Sequence, residues 1–267
     1  MADIKLHLQK GDIYKMKITQ KQKVETKMQG MEVNLNQDII VEQDMEVKEI
    51  TPDGLYRVYT GFRRMYLHQN MPFMGMNIET EYDSDHPENA KGQGDVLGDV
   101  FSKIIGTGYT ADIDSMGKTV RTDVQAFYDA LESDSVESEG TAAKYSKESF
   151  EQYLTIPPAP VKKGDTFEMS IRKTGEYPMT VDSKYTVTKI EADIVELQVI
   201  STLKPSPESE VKMDVKGEQK GTVKLDRKTG MTIHSDVEQN FEITVTQSGI
   251  TIPMKVSGKV LFECSKK

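Results

Sequence analysis

The sequence predicts a mainly β protein with a few short helices, built as two related lobes of curved antiparallel sheet in a half-barrel wrapping helices. A β-sandwich is the alternative. Three observations carry this expectation. Apolar and polar residues alternate at period two along most of the chain, in runs separated by glycine-containing turns, the pattern of hairpins with one buried face. Helical periodicity is confined to short stretches. The two halves also repeat a common plan.

The repeat is legible position by position. "KGDIYKMKI" (residues 10–18) matches "KGDTFEMSI" (163–171), so that Tyr14, Met16 and Ile18 stand where Phe167, Met169 and Ile171 stand. "MEVKEITPDGLYRVYT" (45–60) parallels "YTVTKIEADIVELQV" (185–199), and "GKTVRTDV" (117–124) parallels "GMTIHSDV" (230–237). The wider spacing of the anchors in the first half implies an insertion of about forty residues there. The chain therefore divides into a first lobe, 1–154, with a hairpin insertion and short helices, and a smaller second lobe, 155–267. The boundary falls at "TIPPAPVKKGD" (155–165), where proline forbids helix and drives its predecessor into an extended conformation.

Each element follows from local chemistry. Val24, Thr26 and Met28 precede Gly30, and Met31, Val33 and Leu35 follow it, which predicts a hairpin. "MPFMGM" (71–76) predicts a second, turning at Gly75. Phe241, Ile243 and Val245, followed by Ile250, Ile252 and Met254, predict a third. "TPDGLY" (51–56) and "DRKTGM" (226–231) supply glycine where a turn needs positive φ. "DVLGDVFSKIIGTG" (95–108) is an amphipathic helix with Asp95 as N-cap and Gly106 as stop. Residues 123–133 could form three turns with Phe127 and Leu131 on one side. Residues 146–154 form a helix capped by Ser146, and 132–144 are loop.

Composition excludes several classes of function. The chain has 267 residues, net charge −9 and pI about 5.1, with its lysines interleaved with acids. A phosphate backbone or an anionic membrane surface demands clustered cations, so no nucleic-acid partner is expected. No run approaches the length of a transmembrane helix. The opening "MADIKLHLQKGD" lacks the pattern of an export signal, which fits a cytoplasmic protein or a mature exported chain given a new starting methionine. The one cysteine, Cys264, can form no internal disulfide and reads as a partly buried strand residue.

The chain order of the KGD-opened strand, the glycine-turn hairpins, "EYDSDHPE" (81–88), the amphipathic helix, "DIDSMGKTV" (112–120) and the connector into a second KGD strand resembles an uncharacterised domain-of-unknown-function family of Bacteroidota cell-envelope proteins. The resemblance spans nearly the whole chain. It is most specific at Tyr82 to Asp85, at 114–120 and at 160–165. It implies an exported protein, often lipid-anchored, of the periplasm or cell surface, and no assigned activity. The inferred sheet also looks like the lipoprotein-carrier fold of the periplasm, whose half-barrel holds an acyl chain, a likeness of fold alone.

Catalytic patterns are sparse. His7, His68, His86 and His234 are isolated in sequence, and no nucleophile elbow, P-loop or dinucleotide fingerprint occurs. No enzymatic activity and no cofactor are expected. Asp83, Asp85 and Glu88 are lesser candidates for a hard cation, but they lack the register of a calcium loop. A turn in which Asp83 and Ser84 bond their own backbone accounts for them more simply. The residues favoured for ligand or partner binding are Met71, Phe73, Met74, Met76, Met28 and Met31, because methionine suits adaptable apolar surfaces and projecting apolar tips mark interaction sites. The expected function is a non-enzymatic extracytoplasmic carrier of a lipid, acyl chain or other apolar small molecule. The alternative is a scaffold that contacts an envelope protein through its methionine-rich hairpins.

Overall fold

The computed structural model describes residues 1–28, 31–73, 76–132, 154–173, 178–206, 212–247 and 249–267. Its strands are β1 (Ile13–Met28), β2 (Met31–Ile50), β3 (Tyr56–Phe73), β4 (Met76–Asp83), β5 (Gly108–Ile113), β6 (Thr119–Asp123), β7 (Thr166–Lys173), β8 (Met179–Ile190), β9 (Ile194–Pro205), β10 (Lys212–Asp226), β11 (Thr232–Gln247) and β12 (Ile250–Lys266). Helices α1 (Gly94–Ile104) and α2 (Gln125–Glu132) are short. All strands join one curved, open antiparallel sheet in the order β6-β5-β3-β2-β1-β12-β11-β10-β9-β8-β7, with β4 paired to the upper part of β3. The fold class is the one the alternation predicts. The helix placed at 146–154 and the loop at 132–144 lie outside the described residues except at their ends, where Glu132 closes α2 and Leu154 is not helical.

The two halves enter the sheet in the same strand order, and β12 links β1 to β11. Their matching segments make matching hydrogen bonds. Asp12 Oδ2 accepts from the Gln9 amide at 3.1 Å, as Asp165 Oδ2 accepts from Lys162 at 2.9 Å. The Gly11 and Gly164 amides donate to the carbonyls of Val47 and Val187, each at 2.8 Å. Both glycines have positive φ, 88° and 93°, which a side chain would strain. This bonding clamps the KGD turn of each half onto the end of the second strand of that half.

Cross-strand partners share a face of the sheet, so the printed register sorts every strand into inward and outward positions. The inward set at the base holds Tyr14, Met45, Val47, Val58, Ile113, Val187, Leu197 and Leu225 in one buried cluster. Two extended segments fill it from within. Ala2, Ile4, Leu6 and Leu8 alternate into the core while their backbone bonds Val161, Ser115 and Thr229, and Leu154, Ile156 and Val161 enter beside them. The helices cover a second cluster, Ile104, Tyr109, Val124 and Phe127, against inward Phe62 and Met65 of β3. α1 begins at Gly94 with Gln93 in the N-cap position and no capping side chain, so Asp95 lies inside the helix. Close approach fixes this start: a Cβ at Gly94 would collide with the Glu81 carbonyl of β4.

Curvature is written into inward glycines. A side chain at Gly217, Gly221 or Gly258 would run into the carbonyl of Asn240, Asp236 or Lys21 on the neighbouring strand, so β10, β11, β12 and β1 can bend closely only there. Gly258→Ala is therefore expected to lower the free energy of unfolding by about 1–3 kcal/mol in urea titration, and an unchanged midpoint would contradict this close approach. Acid should act through Asp112, which is 4% exposed and bridges Arg57 and Arg121, each at 2.8 Å. Its hydrogen bonds from Arg57 are the main reason its carboxyl lies below the usual range. A depressed folded value means that its stabilisation is complete above the ordinary aspartate range, about pH 4, and is lost as pH falls through the folded value. Asp112→Asn should cost about 1–3 kcal/mol near neutrality and weaken the acid dependence of the melting temperature. An unaltered acid dependence would exclude this residue as its source.

Candidate functional site

Above the base the strands continue well past both buried clusters. β1, β2, β3, β10, β11 and β12 are 15 to 20 residues long, roughly three times the usual strand. Their hairpin tips lie at one end of the sheet, because Thr26 pairs with both Val33 and Met254, and Met254 pairs with Ile243. The two faces of this extension differ completely in chemistry. Outward positions carry cross-strand ion pairs such as Lys17–Glu42 at 3.5 Å, Lys27–Glu32 at 3.3 Å and Lys259–Asp236 at 2.9 Å. Singly such exposed pairs add little stability, but together they keep that face wet.

Inward positions are uncharged. From the level of Met16 to the tips, no Asp, Glu, Lys or Arg points inward among the described side chains of β1–β4 and β8–β12. Within that face the register draws three zones. The lowest is the filled core. Above it runs a belt of neutral polar residues, interrupted at glycine on β12: Thr80, Gln69, Gln37 and Gln22 are successive cross-strand partners. From Gln22 the same row continues through Gly258, Gln239, Gln219, Ser201 and Ser183. Gln219 donates to Gln239 at 3.2 Å, and Ser183 and Ser201 share a bond of 2.8 Å.

The third zone is apolar again. Ile78 faces Met71, Leu35 faces Val24, and Val24, Val256 and Phe241 form a continuous row. Val33, Met254, Ile243 and Val215 stand one step closer to the tips. No residue of either buried cluster lies above the belt, and most side chains here are half-exposed. Phe241 and Val245 are the buried exceptions, at 3% and 6% exposure. The strict alternation of half-buried and exposed positions along residues 251–260 of β12 shows the same two-faced construction.

The residues singled out from sequence occupy the top of this zone. Met28 pairs with Met31 across one tip and Phe73 with Met76 across another, while Met71 pairs with Ile78. Met31, Met76, Ile78 and Ile250 are exposed by 39%, 63%, 43% and 65%, and Met74 and the glycines at both turns lie outside the described residues. Sequence reasoning missed the glutamine belt and the contribution of β11 and β12. The alternation in 241–254 was a visible signal for the strands, but only register aligns glutamines that lie far apart in the chain.

The acidic turn after β4 is held by protein groups. Arg64 donates to both oxygens of Asp83, at 3.0 and 2.7 Å, and lies 3.4 Å from Asp85. Asp83 also accepts from the Asp85 amide at 3.1 Å, and Ser84 from the Met65 amide at 3.0 Å. The bonds from Arg64 are the leading reason the Asp83 carboxyl is lowered. Glu88 turns instead to His86 at 3.4 Å. Among the described residues no group of three or more His, Cys, Asp or Glu side chains is placed to hold a metal. His68 meets Glu79 at 3.2 Å on β4, and Cys264 is buried in the core, its thiol pushed up to about 11 by that burial.

A cavity of about 580 Å³ lies mainly on the outward face, among Lys15, Lys17, Glu42, Asp44, Arg63 and Glu263. Within it Lys17 pairs with Glu42 at 3.5 Å and Arg63 with Asp44 at 3.8 Å, so its chemistry suits solvent. No helix of the described residues is long and apolar enough to cross a membrane.

No curated protein matches the chain in sequence. Among solved structures it is similar to an outer-membrane channel from Pseudomonas putida F1, at 8% identity and a TM-score of 0.28, over 97% of each chain; a likeness of that size carries no argument. A sequence profile matches residues 53–232, from the Thr51–Leu55 turn to the start of β11, and on that match the chain belongs to a family of unknown function (DUF6263).

Proposed function

We propose that this protein is a non-enzymatic binding module that carries an apolar ligand, such as a lipid or acyl chain, against the inward face above the belt. One observation supports this most: among the described residues, an uncharged apolar sheet face extends several residues beyond the two clusters that fill the core. Large apolar surfaces of this kind mark interaction sites. The outward ion pairs keep the same strands soluble. The reading carries no catalytic step: the polar groups of the inward face are amides and hydroxyls, which lack a general base. Residence in the periplasm or at the cell surface belongs to this proposal and rests on the envelope-family resemblance. A compartment where lipids must cross water suits such a carrier.

A second reading is favoured by the exposed Met31, Met76, Ile78 and Ile250 at three neighbouring tips: the hairpins dock on an envelope protein. The two readings separate experimentally. In fluorescence titration with N-phenyl-1-naphthylamine, a neutral apolar probe, Val256→Glu and Ile243→Glu are expected to weaken binding by tenfold or more, since each buries a charge under the ligand. Lys259→Glu, on the outward face, should leave it unchanged. Equal affinity in all three variants would overturn the carrier reading. Met76→Ser with Ile250→Ser should change stability by less than about 0.5 kcal/mol and leave probe binding intact. If the pair instead abolishes capture of an envelope protein while the native chain shows no probe binding, docking replaces carriage.

A further inference from the structure

Building on the binding face proposed above, we infer that its ligand is an uncharged amphiphile, whose polar group rests on the belt at Gln37 and Gln69 and whose single long chain runs toward the hairpin tips. The belt itself selects the polar group. Its side chains are amides and hydroxyls, which both donate and accept hydrogen bonds and carry no charge. Several belt side chains are already bonded: Gln219 with Gln239, Ser183 with Ser201, and Gln22 with Gln20 one step below it on β1. Gln37 and Gln69, paired across β2 and β3, are half-buried and make no side-chain hydrogen bond to another described residue. No buried side-chain oxygen or nitrogen among the described residues lacks a partner, so these two amides are served by water in the free protein and stand open to a ligand.

The apolar rows above determine the rest of the molecule. Leu35, Val33 and Met31 continue inward from Gln37 to the tip of β2, flanked by Val24, Thr26 and Met71. Six residues of strand span about 20 Å, the length scale of one extended long-chain acyl group. A carboxylate or phosphate at the belt would meet no cation on this face, because the inward positions around it hold none. It would lose hydration without an ionic partner, which costs more than the loss of a neutral hydrogen bond. An alcohol, ester or amide loses only bonds that the glutamines replace.

The test uses the whole chain with bound N-phenyl-1-naphthylamine, displaced by monoolein, oleate or oleoyl lysophosphatidic acid at about pH 8, where both acids are ionised. Monoolein should displace the probe at roughly a tenfold lower concentration than either anion. In Gln37→Leu/Gln69→Leu, monoolein should weaken about fivefold for each hydrogen bond lost, measured against the same variant's own affinity for the probe. Gln37→Lys should reverse the order in favour of oleate. An anion that competes as well as monoolein on the native chain overturns the uncharged head group and leaves the apolar binding face standing. Failure of the probe itself to bind overturns both.

Discussion

Strand register is the constraint on which everything else in this molecule depends. A slip of one residue turns every side chain of a strand to the opposite face. Here that would place lysines and glutamates inside and valines outside. The register is held at the base rather than at the tips. Asp12 and Asp165 close their turns through the amides of Gln9 and Lys162, and the Gly11 and Gly164 amides lock onto Val47 and Val187. At the β10–β11 turn, Asp226 accepts from the amide and hydroxyl of Thr229, and Gly230 passes so close to Lys5 that no side chain fits. The tips inherit their alignment from these fixed ends.

The base and the upper sheet use the same alternation for different ends. At the base, the inward face is filled by the chain itself, through Ile4, Leu6 and Leu8 on one side and Ile156 and Val161 on the other. Near β3 and β4 it is covered by α1, with the Phe101 ring tilted against Tyr82 at 5.4 Å. Beyond the belt no segment of either buried cluster returns to cover it. The belt makes that division possible. A continuous apolar face would favour collapse of the upper strands onto the core, whereas a row of amides and hydroxyls keeps a hydrated boundary between the two zones.

Much of this was legible in the residues. Val24, Thr26 and Met28, mirrored by Met31, Val33 and Leu35, announced a one-faced hairpin, and the KGD segments announced equivalent turns. Asp83 and Ser84 read as turn-formers bonding their own backbone; Asp83 does so through the Asp85 amide, whereas the Ser84 hydroxyl accepts from Met65 on β3. Other features depend on partners remote in sequence. Gln37 and Gln69 are unremarkable polar residues until β2 and β3 pair, and Gln239 joins them only through β12 and β1. Arg64 gave no sign of its hold on Asp83, because that contact spans 19 residues and exists only once β3 and β4 align. The start of α1 at Gly94, rather than at a capping Asp95, is likewise decided by the backbone of β4 against it.

The most direct measurement is photo-crosslinking of the native chain with a diazirine-bearing uncharged acyl lipid, followed by peptide mapping. Adducts are expected on inward positions above the belt, among Leu35, Val33, Val24, Val256 and Ile243. Adducts on outward neighbours of the same strands, such as Lys255 and Glu242, or label spread evenly over the chain, would contradict the account.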